Sequence, residues 1–148
     1  MKIGVIRYPG SNCFYDTMRY FNDHDCIEIW YKNDTLDENI DLLIIPGGFA
    51  FGDRYYESAT GAYTYNPGQM CVEAPVSKII FDIHNKNIPI LGICNGFQIL
   101  IECSLLDGAL MRNESLSFIC KDIFIKSKNN SSIFTKNTSI AKMPIAHN

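Results

Sequence analysis

The sequence has no C-x-x-C pair, no H-x-H or H-x-x-x-H spacing, no apolar run of the roughly 18 residues a membrane span needs, and no excess of basic residues. Each absence removes a class of function. The six cysteines, Cys13, Cys26, Cys71, Cys94, Cys103 and Cys120, are scattered, so they read as thiols rather than as a disulfide framework or a zinc site, and no structural metal is expected. A net charge of -3 and a pI near 5.5 give no footprint for nucleic acid or an anionic membrane. Met1-Lys2-Ile3-Gly4 enters an apolar run directly and does not resemble a signal peptide, so a soluble, cytoplasmic protein is expected. Repeats and low-complexity tracts are also missing.

What is present is ordinary globular material: 148 residues, 47% hydrophobic and 20% charged, enough for one domain with a substantial core. Ile3 to Ile6 predicts a strand, Arg7 to Asn12 a turn, and Phe14, Met18 and Phe21 a helix. Cys26 to Tyr31 predicts a second strand. Asp41 to Pro46 predicts a third, whose unbroken apolar run suits a strand covered on both faces. Residues 53 to 70, rich in Tyr, Gly, Ser and Thr, read as an irregular excursion over the site. Cys71 to Asn85 reads as one helix with Pro75 in its first turns, Pro89 to Ile93 as a strand, and Phe97 to Cys103 as a helix. Beyond Gly108, Leu110–Met111, 118–126 and 138–145 read as strands in antiparallel pairing. The order predicts an α/β fold: a doubly wound, mostly parallel, flavodoxin-like sheet with antiparallel edge strands, its site at the carboxyl ends of the strands.

The chain is organised around Leu91-Gly92-Ile93-Cys94-Asn95-Gly96-Phe97-Gln98, a strand running into a helix through Gly-x-Cys-x-Gly. This is the pattern of a nucleophile elbow, a turn so tight that its flanking residues must be nearly free of side chain. A buried, inert cysteine is the plainer reading of one Cys in an apolar strand, but the paired glycines favour the elbow. Pro46-Gly47-Gly48 ends another strand, so a glycine pair and a thiol are expected to face one crevice. That arrangement suits acyl transfer, with thiolate attack on a carbonyl and an oxyanion held by the Gly48 and Asn95 backbone N–H groups.

Five segments carry a resemblance: Pro9-Gly10-Ser11-Asn12-Cys13, Ile45-Pro46-Gly47-Gly48-Phe49-x-x-Gly52-Asp53, the Cys94 segment through Leu100, Arg112-Asn113-x-Ser115-x-x-Phe118, and Pro144-Ile145-Ala146-His147. Together they resemble the class I, triad-type glutamine amidotransferases, and within them the glutaminase subunits of phosphoribosylformylglycinamidine synthase in purine biosynthesis. The resemblance implies release of ammonia from glutamine through a γ-glutamyl thioester on Cys94. It also implies an oxyanion hole at Gly48 and Asn95, and glutamine contacts from Gly47, Gln98, Asn113 and Phe118. No cofactor is implied for this chain: ATP and Mg²⁺ belong to a large synthetase partner, joined in some systems by a small accessory subunit.

The family's base is a His oriented by a Glu in a His-Pro-Glu segment, and residues 1–148 contain none. The chain therefore reads as the first two thirds of an amidotransferase domain. His24 and His84 are expected at the sheet edge away from Cys94, and His147 matches a different family segment. The Tyr-rich stretch 54–70 is an insertion relative to the family. Two other readings stand beside the enzyme: a relic or interaction domain that keeps the elbow without turnover, and a DJ-1-like thiol hydrolase or redox sensor, which needs a carboxylate beside the elbow.

Overall fold

In the computed structural model, residues 1–52, 56–57, 61, 64–128 and 132–147 are described. The elements are β1 (Lys2–Arg7), α1 (Phe14–Tyr20), β2 (Asp25–Trp30), β3 (Leu42–Ile45), a short 3-10 turn (Ala50–Gly52), β4 (Tyr56–Glu57), β5 (Thr64–Tyr65), α2 (Pro67–Glu73), α3 (Ser77–Asn85), β6 (Ile90–Gly92), α4 (Asn95–Glu102), β7 (Ile119–Lys126) and β8 (Ile140–His147). They fall into two compact units, Met1–Gly108 and Ala109–Asn148.

In the first unit, β2, β1, β3 and β6 form a four-stranded sheet in that order. Every pairing is parallel, with Val5 opposite Glu28 and Ile44, and Ile45 opposite Gly92. The strand order reverses direction between β1 and β3, which opens a crevice at their carboxyl ends. Residues of β3 alternate between two cores, because successive side chains of a strand point to opposite faces. Leu42 and Ile44 join Ile3, Val5 and Phe14 under α1. Leu43 and Ile45 join Ile79, Ile80, Ile83, Ile99 and Leu100 under α3 and α4. Burial on both faces explains why β3 is uniformly apolar, and each such side chain contributes about 1.5–3 kcal/mol.

The expected single helix over 71–85 is instead two helices. Ala74 is extended (φ -63, ψ 143) because the ring of Pro75 disfavours helical geometry in the residue before it. The first of the pair begins earlier than expected, at Pro67, with Asn66 Oδ1 accepting from Gly68 N at 2.9 Å. The pairing of Asn66 as N-cap with Pro67 at the first helical position is a readable helix start. Within the excursion expected to cover the site, Tyr56–Glu57 and Thr64–Tyr65 pair antiparallel, while residues 53–55, 58–60 and 62–63 lie outside the described residues. Among the described residues no helix is long and apolar enough to cross a membrane.

In the second unit, β7 and β8 pair antiparallel from Ile119 opposite His147 to Lys126 opposite Ile140, as a two-stranded sheet of their own. The strand expected at Leu110–Met111 is not formed. Met111 is exposed, and a two-residue apolar run cannot hold an extended conformation without a ladder partner.

Candidate active site

Three loops leave carboxyl ends of the parallel sheet and interlock through backbone atoms. The loop after β1 accepts through Gly10 O from Phe49 N (2.8 Å) and through Pro9 O from Phe51 N (2.7 Å), and donates from Cys13 N to Gly47 O (3.2 Å). The loop after β3 is tied to the elbow by Ile93 N donating to Ile45 O at 3.0 Å. Beneath them, Tyr8 is buried, its ring set edge-on to Phe51 at 5.8 Å, and Phe51 edge-on to Tyr31 at 5.5 Å. Burial pushes the Tyr8 hydroxyl far above its ordinary range, so this ring is a neutral floor.

Cys94 is an exposed thiol with φ 52 and ψ -108, a strained conformation for a non-glycine residue and the backbone signature of an elbow. The flanking glycines are there for space. A methyl group on Gly96 would lie 1.9 Å from Ile45 O, and one on Gly92 would lie 2.7 Å from Gly96 O and from Leu100 Cδ1. The elbow can turn only if both positions are bare.

Gly47 lies next to the thiol: a methyl group there would stand 3.6 Å from Cys94 Cβ and from Cys13 Sγ. Gly48 has φ +141, and a side chain there would meet Asn12 N at 2.5 Å and Gly10 O at 2.7 Å. Neither the Gly48 N–H nor the Asn95 N–H donates to a backbone carbonyl among the described residues. The carbonyl of Cys94 accepts from Gln98 N at 3.1 Å, which starts α4 directly behind the sulfur.

The structure thus brings Cys94, Asn95, Gly47, Gly48 and Gln98 together at one end of the sheet. Asn113 and Phe118 belong to the second unit. There Asn113 Nδ2 donates to Ser117 O (2.8 Å) and His147 O (3.0 Å), and Phe118 is exposed. His24 precedes the start of β2, and His84 lies in the last turn of α3, which leads into the start of β6. Both stand at the amino ends of strands, opposite the thiol. The described residues of the three loops carry no histidine and no carboxylate.

Sequence reasoning used Asn95 only for its N–H. Its side chain is also part of the site, because Oδ1 accepts from Ala50 N at 3.0 Å and Nδ2 donates to Gln98 Oε1 at 3.1 Å. The signal was available: a polar side chain one step past an elbow cysteine is carried into the helix and sheet packing, where it must find partners. Among the described residues no group of three or more His, Cys, Asp or Glu side chains is placed to hold a metal ion.

The fold and site define a class: an α/β protein whose parallel sheet presents a cysteine elbow beside a glycine-paired loop. The chain matches the CobB/CobQ-like glutamine amidotransferase domain over residues 1–148, and it belongs to that family. It is 38% identical over 152 residues to the phosphoribosylformylglycinamidine synthase subunit PurQ of Sulfurimonas denitrificans, covering 99% of this chain and 63% of the relative. The PurQ of Chlorobium luteolum is 37% identical over 153 residues, with 99% and 62% covered. Among solved structures, that of PurLQS from Thermotoga maritima superposes with a TM-score of 0.76 at 32% identity, covering 99% of this chain and 66% of that one. A glutamine amidotransferase from the same organism, 18% identical with a TM-score of 0.59 and 99% and 60% covered, bears on the fold alone. The chain spans a little over three fifths of the length of the curated relatives it matches.

Proposed function

We propose that this chain carries the glutamine-binding, thioester-forming part of a glutaminase that supplies ammonia to phosphoribosylformylglycinamidine synthase. The Cys94 thiolate attacks the side-chain amide carbonyl of glutamine, and the oxyanion lies against the Gly48 and Asn95 N–H groups. Collapse expels the amide nitrogen, protonated, as ammonia. Water then cleaves the γ-glutamyl thioester to glutamate and restores the thiol. The observation that carries this reading is the strained Cys94 backbone between two glycines that tolerate no side chain, with Gly47 in contact range. Gln98, and by resemblance alone Asn113 and Phe118, are assigned to glutamine recognition.

The likeness to PurQ subunits and to the PurLQS structure supports a large synthetase partner and a small third subunit, with ATP and Mg²⁺ handled by the synthetase. Both units are taken as parts of one amidotransferase domain, supported by the family match across 1–148. Six cysteines held as thiols rather than disulfides support a reducing, cytoplasmic setting. Proton transfer needs a base that the described residues of the three loops do not contain, and such a base is typically worth a factor of about 10² to 10⁴.

The test is intact-mass analysis after exposure to 6-diazo-5-oxo-norleucine. One adduct is expected on the native chain and none on Cys94→Ser. Persistent labelling of Cys94→Ser, with the adduct mapped to Cys13, refutes the assignment. The non-catalytic reading, favoured by the lack of a base among the described residues of the loops, predicts no sustained ammonia release from glutamine when the chain is mixed with a PurL-type synthetase.

A further inference from the structure

Two residues beyond Gly48, the chain turns into the 3-10 segment at Ala50, and what holds that turn in place comes from the elbow itself. Asn95 is 6% exposed and Ala50 1% exposed, so the 3.0 Å bond between Ala50 N and Asn95 Oδ1 is shielded from water and spans 45 positions of sequence. The same amide donates to Gln98 Oε1 at 3.1 Å. On its other side the Gly48 segment is held by Phe49 N on Gly10 O at 2.8 Å. Gly48 is therefore clamped between the loop after β1 and the side chain of the residue that follows the nucleophile. Backbone torsions in a loop are soft, and a hydrogen bond in a low-dielectric setting fixes them more firmly than an exposed one.

We propose that the Asn95 side chain is a positioning residue: its amide brackets the Gly48-bearing loop to the elbow and sets the spacing between the Gly48 N–H and the Cys94 sulfur. Asn95 thus acts twice, its N–H as a donor to the oxyanion and its side chain as the strut that aligns the other donor. The two halves of the amide are separable. Oδ1, through Ala50, controls the oxyanion donor, whereas Nδ2, through Gln98, controls the orientation of a glutamine contact. The proposal rests on the oxyanion role of Gly48 given above.

The test compares two reactions of Cys94 in the full chain. Acylation by the γ-(p-nitrophenyl) ester of glutamate forms a sulfur–acyl bond, breaks the ester C–O bond and passes through an oxyanion. Alkylation by iodoacetamide displaces iodide and forms no oxyanion, so it reports the thiol alone. For Asn95→Ala the acylation rate relative to alkylation is expected to fall about 10²-fold, the size of a misplaced or lost oxyanion donor. Asn95→Asp keeps an acceptor for Ala50 N–H and is expected to hold that ratio within a few-fold of the native value. The ratio cancels any effect of the new charge on thiol reactivity but not its repulsion of the oxyanion, so the Asn95→Asp ratio is followed as pH falls, and its value with the carboxyl protonated carries the comparison.

Circular dichroism and thermal melting accompany both variants, and Asn95→Asp carries the test if Asn95→Ala fails to fold. An unchanged ratio in folded Asn95→Ala overturns the strut, as does an Asp variant as impaired as the Ala one. A native chain that is alkylated but shows no ester acylation above that of a small thiol overturns the oxyanion reading itself. The two failures are thus distinct.

Discussion

Gly96→Ala sets two known effects against each other, and the structure decides between them. Within a helix, replacing Gly by Ala is worth about 1 kcal/mol in favour of the variant. Here the new methyl group would lie 1.9 Å from Ile45 O, 2.7 Å from Ile45 C and 3.0 Å from Ile45 Cβ. The first contact is with backbone at the end of a buried strand, which cannot swing aside as a side-chain tip can. Relief requires the first turn of α4 to move outward by about 1 Å, and overpacking of this kind costs about 1–3 kcal/mol. That movement also stretches the Ile93 N to Ile45 O and Ala50 N to Asn95 Oδ1 bonds, at about 1–3 kcal/mol for each buried group left unpaired. The net expectation is a destabilisation of roughly 2–8 kcal/mol, read as a melting temperature lowered by about 4–32 °C for a chain of this size. Urea unfolding with circular dichroism measures the stability, and thiol titration of the folded variant measures the exposure of Cys94. A variant as stable as the native chain, or more stable, with unchanged Cys94 reactivity would refute the claim that the helix is pressed against the strand end.

Gly48→Ala is expected to abolish labelling by 6-diazo-5-oxo-norleucine while leaving iodoacetamide alkylation of Cys94 in place, because a side chain at φ +141 would be driven into Asn12 N; equal loss of both reactions argues for general collapse of the loop instead. Cys103 is buried, and burial first, then the neighbouring Glu102 charge, pushes its thiol up to about 11. Its contribution to stability is fully present below the ordinary thiol range and is lost as pH rises from about 9 through 11, since the unfolded chain ionises first. Urea midpoints for native chain and Cys103→Ala across that window should therefore converge as pH rises, and parallel curves would remove Cys103 as the cause.

The parallel sheet was readable because its strands are buried on both faces, which leaves continuous apolar runs such as Leu42–Ile45 that need no partner to be recognised. Cys94 was readable for a related reason: an elbow needs Gly92 and Gly96, and that demand is written locally. The break at Ala74 was misread because Val76, Ile79, Ile80 and Ile83 keep helical spacing after Pro75 and drew attention past the proline, although the rule for the residue before a proline was sufficient. The start at Asn66–Pro67 was hidden inside a stretch with no hydrophobic period. That the buried Asn95 side chain needs a partner was readable, but that the partner is Ala50 was not. The bond joins positions 45 apart, and only the superposition of two strand ends brings them together.

Apart from the Asn95 strut, the hydrogen bonds that lace the three loops run between peptide groups: Gly10 with Phe49, Pro9 with Phe51, Gly47 with Cys13, Ile45 with Ile93. Geometry held in the main chain is indifferent to which side chains decorate it. Phe49 and Ile93, both exposed, can therefore drift through evolution with little effect on where the sulfur sits, while the bare positions beside them cannot. The same lacing makes these amides slow to trade their protons with solvent, since freeing one loop requires prying apart the other two. Chemistry at the rim can be retuned residue by residue around a frame that stays put.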